Sequence, residues 1–170
     1  MQHRTIASSS GLIMVDDGLR IAVVENGLAP FMEGWIQEME KRFFEFLTHD
    51  ERVDCLALGA IGKQPSGAKL LQAGDRAYAL FVLLAGTAEV RRRDGVVLAQ
   101  LVSGDIFGEM SFIQGARASA DVVATTDVTV LTLTDGVIRE LFKERPGLAA
   151  GLYRSLAAEL AQRLRATSAR

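Results

Sequence analysis

The apolar residues of the chain follow four different spacings, and the first of them predicts a β-hairpin near the N-terminus. Residues 12–24 alternate between apolar and polar positions on both sides of Asp16-Asp17-Gly18, as strands joined by a tight turn do. Two strands are marginally stable by themselves, so this hairpin must pack against another element. Its alternating apolar residues are Ile13, Val15, Leu19, Ile21 and Val23.

A helical spacing replaces this alternation from about residue 28 to residue 47. The apolar positions there step by three and four, which places them on one face of a helix. Thr48 and Glu51 then form a capping box that begins a second helix, which extends to about Gly59. The first stripe comprises Met32, Trp35, Ile36, Met39, Phe43, Phe46 and Leu47, and the second helix turns Val53, Leu56 and Ala57 inward.

Residues 67–133 contain short β-rich runs at intervals of about ten residues. Turn signals such as Asp94-Gly95 and Gly104-Asp105 separate the runs. Several short strands at this interval predict an antiparallel sandwich or barrel. The runs read AKLLQ, ALFVLL, TAEVRR, VVLAQL, ADVVAT and VTVLTL.

Helical sequence returns after the β-rich region. Thr134-Asp135 begins a helix that ends before Pro146, and a final helix extends from there to about Ala166. The leucines of the final helix recur every four residues, and we expect this stripe to face the core. They are Leu148, Leu152, Leu156, Leu160 and Leu164. The spacings together predict an α+β fold with a mainly β core between N-terminal and C-terminal helices.

Composition and charge exclude several classes of protein. The 170 residues fit one domain, or one domain with an extension, and 49% apolar with 24% charged residues is ordinary for a globular chain. A net charge of −2 creates no field that would recruit nucleic acid or a membrane surface. We expect no membrane span and no secretion signal, and the single Cys55 excludes an internal disulfide. A cytoplasmic location is therefore predicted, with Cys55 as a buried structural thiol.

The segment FGEMSFIQGARASADV, residues 107–122, carries the chemistry of interest. Gly108 permits a close backbone approach after a buried Phe107, and the residues that follow suffice for one turn of helix. Such a turn directs free amides outward, where they can bind a phosphate. Glu109 favours the positive end of that turn and can accept hydrogen bonds from a sugar diol. Ser119 can donate a hydroxyl to the same anion, and an arginine would add a bidentate charge.

This pattern, G-D-x-F-G-E followed by an R-S-A-like segment that enters a strand, resembles the phosphate-binding cassette of the cyclic nucleotide-binding domain family. The similarity includes LLQAGDRAYALFVLLAGTAEV upstream and ADVVATTDVTVLTL downstream, and it covers about residues 43–166. It implies a jelly-roll-like antiparallel β-roll, flanked by helices, that binds cAMP or cGMP while the C-terminal helix closes as a lid. It divides the chain into an extension, residues 1–42, and a domain, residues 43–170. The apolar stripes of the helices are expected to face the core. The resemblance also implies an alternative, in which these stripes form the contact of a homodimer.

The resemblance assigns a role to most residues of the cassette. Glu109 matches the acid that holds the ribose hydroxyl, and Gly108, Met110 and Ser111 match positions whose amides face the cyclic phosphate. Ser119 and Ala120 match the small pair that follows the phosphate-binding arginine. The expected ligand-binding residues are Phe107, Gly108, Glu109, Met110, Ser111, Arg117, Ala118, Ser119 and Ala120.

The phosphate-binding arginine does not match in this alignment. Without gaps, its position is Ala118, and Arg117 lies one residue early. Neighbouring residues of an extended segment point to opposite faces, so Arg117 does not simply substitute. A loop shortened by one residue would instead bring Arg117 to the phosphate.

Two functional hypotheses follow from the sequence. The first is a non-catalytic sensor domain that binds a cyclic nucleotide and signals through its terminal helices. The second is a ligand-free relative of the fold that serves in dimerisation or docking, attached to a transporter, channel or enzyme. We expect no cofactor and no metal site, because the strands contain no histidine for a cupin-like metal centre. We also expect no direct DNA binding, because no helix-turn-helix sequence follows the last helix.

Overall fold

The structure of the chain is a computed structural model that describes residues 4–8, 11–15, 22–23 and 44–168. Its strands are β1 (Arg4–Ser8), β2 (Gly11–Val15), β3 (Ala22–Val23), β4 (Ala60–Gln64), β5 (Lys69–Leu71), β6 (Ala79–Ala85), β7 (Ala88–Arg91), β8 (Val97–Leu101), β9 (Ile106–Phe107), β10 (Asp121–Ala124) and β11 (Val128–Thr134). Its helices are α1 (His49–Leu58), α2 (Glu109–Gln114), α3 (Asp135–Glu144) and α4 (Pro146–Ser168).

Eight of these strands form the two antiparallel sheets of a β-roll. One sheet has the order β5-β10-β7-β8, and the other has the order β4-β11-β6-β9. Apart from the β7-β8 hairpin, neighbouring strands in each sheet are distant along the chain, as in a jelly roll. The expected jelly-roll-like, mainly β architecture with flanking helices is therefore confirmed.

Strand β6 of the second sheet is buried on both faces, which explains why it reads as a nearly continuous apolar run. Alternate residues of β6 enter two different cores, because successive side chains of a strand point to opposite faces. Leu83 lies in the inner core between the sheets, whereas Leu80, Val82 and Leu84 lie in the outer core under the helices. The inner core comprises Leu83, Ala88, Leu101, Phe107, Val122, Ala124, Val128 and Val130.

The outer core joins the second sheet to α1, α3 and α4. Three of the five leucines that the sequence placed on one stripe of the last helix are buried there: Leu148, Leu152 and Leu156. Leu164, one turn from the end of the helix, is exposed. Cys55 is also buried in this core, as expected, and burial raises the pKa of its thiol to about 12.

The predicted helix starts are confirmed by their caps. Thr48 Oγ1 accepts from the backbone N–H of Glu51 at 3.3 Å, and Glu51 Oε2 accepts from the N–H of Thr48 at 2.8 Å. Thr134 caps α3 in the same way through the N–H of Val137. The reciprocal bonds at Thr48 and the single bond at Thr134 satisfy amides that the first helical turn leaves without partners.

The predicted N-terminal hairpin is confirmed where the structure describes it. β2 pairs with β3 in antiparallel register, with Ile13 opposite Val23 and Met14 opposite Ala22. The predicted turn at Asp16-Asp17-Gly18 and the predicted strand residues Leu19 and Ile21 lie outside the described residues. An additional strand, β1, pairs with the other edge of β2 and was not predicted.

The predicted helix over residues 28–47 is wrong at its C-terminal end, while residues 28–43 lie outside the described residues. Residues 44–47 form a turn, in which the N–H of Leu47 donates to the carbonyl of Phe44 at 2.8 Å. Phe44 has a φ of 47°, which a right-handed helix excludes. The N–H of Phe46 donates to Ser155 Oγ on α4, at 3.0 Å, so packing against α4 overrides the local helical spacing.

Candidate functional site

The site is organised around the start of α2, the short helix that follows β9. Gly108 is its N-cap residue and has a φ of 79°, in the left-handed region that glycine adopts without strain. A Cβ atom at this position would lie 2.9 Å from Cδ2 of Phe81 and 3.2 Å from the carbonyl oxygen of Ala79. Glycine is therefore required here by both conformation and space, which explains the sharp turn from β9 into α2.

Phe107 fixes this turn to the roll from the inner side. It pairs with Phe81 of β6, and the two rings stack with centroids 5.0 Å apart and an interplanar angle of 11°. Phe107 is fully buried in the inner core, as expected. The start of α2 is thus held by the buried Phe107 stacked on the partly buried Phe81. The first amides of α2 have no acceptor within the helix because of their position.

Glu109 is the first residue of α2, and its side chain is buried although it is ionisable. The residue is 4% exposed, and its carboxylate lies against its own backbone N–H at the positive end of the helix. A buried carboxylate requires partners, and here it has both this amide and a cation. The structure therefore places an acid at the start of α2, where its carboxylate is held by its own backbone N–H and by a cation.

The cation is Arg163 of α4, which the sequence analysis did not single out. Its Nη1 donates to Glu109 Oε1 at 2.7 Å, and its Nη2 donates to the carbonyl of Ile106. Its Nε donates to Oε1 of Glu159, one turn earlier on the same helix, at 3.1 Å. One guanidinium therefore ties the last helix to the first residue of β9 and to the first residue of α2.

The environment of Glu109 affects its protonation in two opposing ways. Burial raises the pKa of the Glu109 carboxyl above its ordinary value. Arg163 and the backbone N–H favour the ionised form and offset part of this increase, whereas the nearby Glu159 adds to it. The net shift is upward, so this carboxyl takes up a proton more readily than an exposed glutamate does.

At the other end of the cassette, residues 117–120, the side chains that are buried against the roll are apolar. Ala118 is 5% exposed, and its backbone pairs with the turn after β5: its N–H donates to Asp75 and its carbonyl accepts from Gly74. Arg117 is exposed, and its Nη1 donates to the carbonyl of Gly74 at 2.7 Å. Adjacent side chains thus point to opposite sides, with the methyl group inward and the guanidinium outward.

The remaining expected site residues divide between buried and exposed positions. Ser111 and Ala120 are buried, whereas Ser119 is exposed and Met110 is 47% exposed. The structure therefore brings Phe107, Gly108, Glu109 and Ser111 together at the start of α2. The side chains of Arg117 and Ser119 lie toward solvent.

A cavity of about 680 Å³ lies on the other side of Arg163. It is bounded by β8, by the turn before β9 and by the last three turns of α4, and Arg163 and Glu159 form part of its wall. Neither Glu109 nor residues 117–120 line it. Arg163 therefore stands between this open groove and the buried acid.

Sequence reasoning missed Arg163 because its only local signal is the spacing of four between Glu159 and Arg163, which is common on exposed helix faces. Within the described residues, no group of three or more His, Cys, Asp or Glu side chains could hold a metal ion. The helices in the same part of the chain include none with the length and apolar character that crossing a membrane requires.

Comparison with known proteins agrees with this geometry. The family model described as "Cyclic nucleotide-binding domain" matches residues 63–145, which include the cassette and most of the roll. A crystal structure of a cyclic nucleotide-binding domain from Methylobacillus flagellatus has the same fold, with a TM-score of 0.70 at 24% identity, over 82% of this chain and 87% of that one.

Two further relatives resemble the chain more closely in sequence. The Catabolite Activator Protein of Thermus thermophilus is 30% identical, with a TM-score of 0.62, over 74% of this chain and 59% of that one. Glutaminase 1 of Bradyrhizobium diazoefficiens is 38% identical over 125 residues, which are 74% of this chain and 20% of the glutaminase. The chain thus spans about a fifth of the length of this curated relative. The matched segment and the shared fold show that residues 63–145 of this chain belong to the cyclic nucleotide-binding domain family.

Proposed function

We propose that residues 43–170 form a non-catalytic regulatory domain that binds a cyclic nucleotide, cAMP or cGMP, and signals through its terminal helices. The observation that carries the proposal is the buried Glu109 at the start of α2, joined to Arg163 of the last helix at 2.7 Å. An acid and free amides at one point suit a ligand that combines a diol with a phosphate. Its link to α4 provides a route by which occupancy would alter the helix.

The proposed binding mode uses few direct charges. The ribose hydroxyl donates to the Glu109 carboxylate, and the cyclic phosphate accepts from the amides that follow Gly108. Ser119, Ala120 and Ala118 are proposed to line the far side of the phosphate. Arg117 contributes in this mode only if its guanidinium leaves the carbonyl of Gly74.

Several broader assignments are part of the same proposal. The domain itself catalyses no reaction, acts in the cytoplasm, binds no DNA directly and forms a homodimer through its helices. Because glutaminase 1 carries a related segment in about a fifth of its length, a larger protein with a catalytic or transport domain is a fitting partner for such a module. The homodimer is supported by the exposed end of α4, where Leu164 is 69% exposed, and the other assignments rest on the resemblance to relatives.

Titration calorimetry with cAMP and cGMP, together with thermal-shift measurements, tests the proposal. We expect saturable heat and a rise in Tm with one or both ligands, because a ligand that binds only the folded state stabilises it. No heat and no thermal shift at millimolar ligand would rule the proposal out. Adenosine 5′-monophosphate serves as the control ligand, since it keeps the base, the ribose and a phosphate but lacks the cyclic ester.

The variant Glu109→Gln tests the role of the acid. It keeps the size of the side chain and removes the charge, so we expect affinity to fall by about ten- to a hundredfold, the equivalent of about 1.5–3 kcal/mol for a charge-assisted hydrogen bond. Glu140→Gln is the matched control, because Glu140 is an exposed helix carboxylate that pairs with Lys143 away from the cassette. Equal losses in both variants would contradict the assignment.

A second candidate function is a ligand-free docking or dimerisation module. Two observations favour it: Ala118 supplies no charge at the phosphate position, and Glu109 already has internal partners. Sedimentation equilibrium, with and without cyclic nucleotide, separates the two candidates. A dimer that forms equally well without ligand, in a protein that shows no binding heat, would favour the second.

A further inference from the structure

The cassette of this chain lacks a cation of its own. The position that faces the roll is Ala118, whose methyl group is buried, and the neighbouring Arg117 is held outward by the carbonyl of Gly74. An anion at the start of α2 would therefore meet amides and the buried carboxylate of Glu109, with no positive side chain from residues 107–120 directed at it.

The Glu109 carboxylate makes this shortage more severe. Two negative groups at one helix end repel each other, and the repulsion is strong where burial excludes water. Glu159 adds a second nearby carboxylate from α4. Without a compensating cation, this site would disfavour the phosphate that its amides could otherwise bind.

Among the residues that the structure describes, Arg163 is the cationic side chain that contacts Glu109 at the start of α2. Its side chain is 28% exposed, so it is partly accessible from the cavity side. It donates to Glu109 and to the carbonyl of Ile106, which precedes the cassette. Because an arginine carries five donor hydrogens in a planar fork, it can turn part of that fork toward an anion while it still contacts a carboxylate.

We propose that Arg163 supplies, from the last helix, the positive charge that the cassette lacks at position 118. The inference rests on the proposed function and adds a ligand-binding residue to it. Arg163 neutralises Glu109 so that an anion can approach, and its guanidinium then shares the phosphate with the amides of α2. Affinity for the ligand consequently depends on α4 being docked against the roll.

The test uses the full chain and the variant Arg163→Met, which keeps the length of the side chain and removes its charge. We expect cAMP or cGMP affinity, whichever the parent binds, to fall by about ten- to a hundredfold. Arg165→Met is the matched control, because Arg165 is exposed on the same helix two residues later, and its affinity should equal that of the parent. Hydrogen exchange of the α4 amides establishes that the helix remains docked in each variant.

A rescue experiment separates a binding role from a structural one. In the Arg163→Met background, adding Ala118→Arg places a cation on the loop, where it cannot restore the contacts of α4 with Ile106. Because Ala118→Arg is also expected to raise the affinity of the parent, its gain is measured in both backgrounds. A larger gain in the Arg163→Met background than in the parent supports the proposal, because one cation then replaces the other. Equal gains in the two backgrounds mean that the two positions act independently and that Arg163 only holds the helix, which overturns the proposal.

The outcomes also separate this inference from the proposed function. If the parent binds a cyclic nucleotide and Arg163→Met binds equally well, the inference is wrong and the proposed function stands. If the parent binds neither cAMP nor cGMP at millimolar concentration, both fail. Arg163→Lys gives a further check, since a charge without the planar fork should retain more affinity than methionine does.

Discussion

The two ends of the cassette differ in how completely they are built. At residues 107–111, a stacked aromatic pair, a glycine with positive φ and a buried acid converge at the start of α2. At residues 117–120, the backbone is equally well paired, through Gly74 and Asp75, but the inward side chain is a methyl group. Backbone geometry and charge are therefore separable in this fold: the loop keeps its shape although its cation points away.

The conformation of the first end depends on local residue types, whereas the chemistry of the second end depends on which side chain points inward. The first end is fixed by local sequence, because Gly108 alone permits the turn and Phe107 anchors it. The second end depends on a register of one residue, since a shift of one position exchanges the inward and outward side chains. Substitutions at the two ends should accordingly have effects of different kinds.

The largest effect is expected from Ala118→Arg, which would give the second end the charge that it lacks. We predict that affinity for the cyclic nucleotide rises by about ten- to a hundredfold, from one charge-assisted contact with the phosphate. Calorimetric titration of the variant beside the parent measures it. Ala118→Met is the control, because it adds similar length at a position that is 5% exposed without adding charge. If arginine binds no better than methionine, the gap-free placement of Ala118 is wrong.

The substitution Gly108→Ala tests the first end of the cassette by straining the backbone at residue 108. Holding a non-glycine residue in the left-handed region costs about 1–2 kcal/mol, and the new Cβ would lie 2.9 Å from the Phe81 ring. We predict a decrease of about 1–3 kcal/mol in the free energy of unfolding, measured by chemical denaturation. Gly67→Ala is the matched control: its φ is +84°, but nothing lies within 4 Å of the added Cβ. Equal losses would show that the contact with Phe81 is unimportant.

The protonation of Glu109 gives a prediction about pH. Because burial raises its folded-state pKa, the folded protein binds more protons than the unfolded chain between the two pKa values. The contribution of this group to stability is therefore present below the unfolded-state pKa and is lost as pH rises through the raised folded-state pKa. Relative to the parent, Glu109→Gln should gain stability as pH rises from 4 to 7.

Denaturation of the parent and the variant at each pH measures this difference directly, since the other titrating groups are common to both proteins. Asp121 illustrates why the comparison is needed. Its pKa is lowered by the N–H of Ala73 and by Lys69, so it changes stability with pH in the opposite direction. A difference between parent and Glu109→Gln that stays constant with pH would contradict the raised pKa.

The smallest effect is expected from Arg117→Ala. Arg117 is exposed and donates to the carbonyl of Gly74, so its removal should change affinity by less than about threefold. Titration of this variant measures the effect. A tenfold loss would show that Arg117 turns inward when ligand binds, and the contrast between the two ends of the cassette would then disappear in the bound state.

Much of the roll could be predicted because its strands are short apolar runs separated by turns. All six predicted runs are strands, and both caps at Thr48 and Thr134 are present. β4 and β9 were not predicted, since AIGKQ contains glycine and two polar residues and β9 has only two residues. These strands form through pairing with β11 and β6, which is a tertiary effect that local spacing does not contain.

The site was predictable where its signal is local and not where it is long-range. Gly108 and Glu109 lie next to each other, and their residue types already specify a turn with an acid at its positive end. Arg163 lies 54 residues from Glu109, and its contact depends on how α4 packs on the roll. The turn at residues 44–47 was mispredicted for a similar reason, because a bond from Phe46 to Ser155 determines it.

The hydroxyl of Ser155 has a mechanical consequence. It accepts from the N–H of Phe46 at 3.0 Å and donates to the carbonyl of Gly151 at 2.8 Å, while the guanidinium of Arg154 lies 4.0 Å from the centre of the Phe46 ring. The segment that precedes the β-roll is thus bonded to α4, which follows the roll, although Phe46 and Ser155 are 109 residues apart. A movement of α4 is therefore expected to move residues 44–47 as well. Domains attached before and after the β-roll would then respond to the same movement.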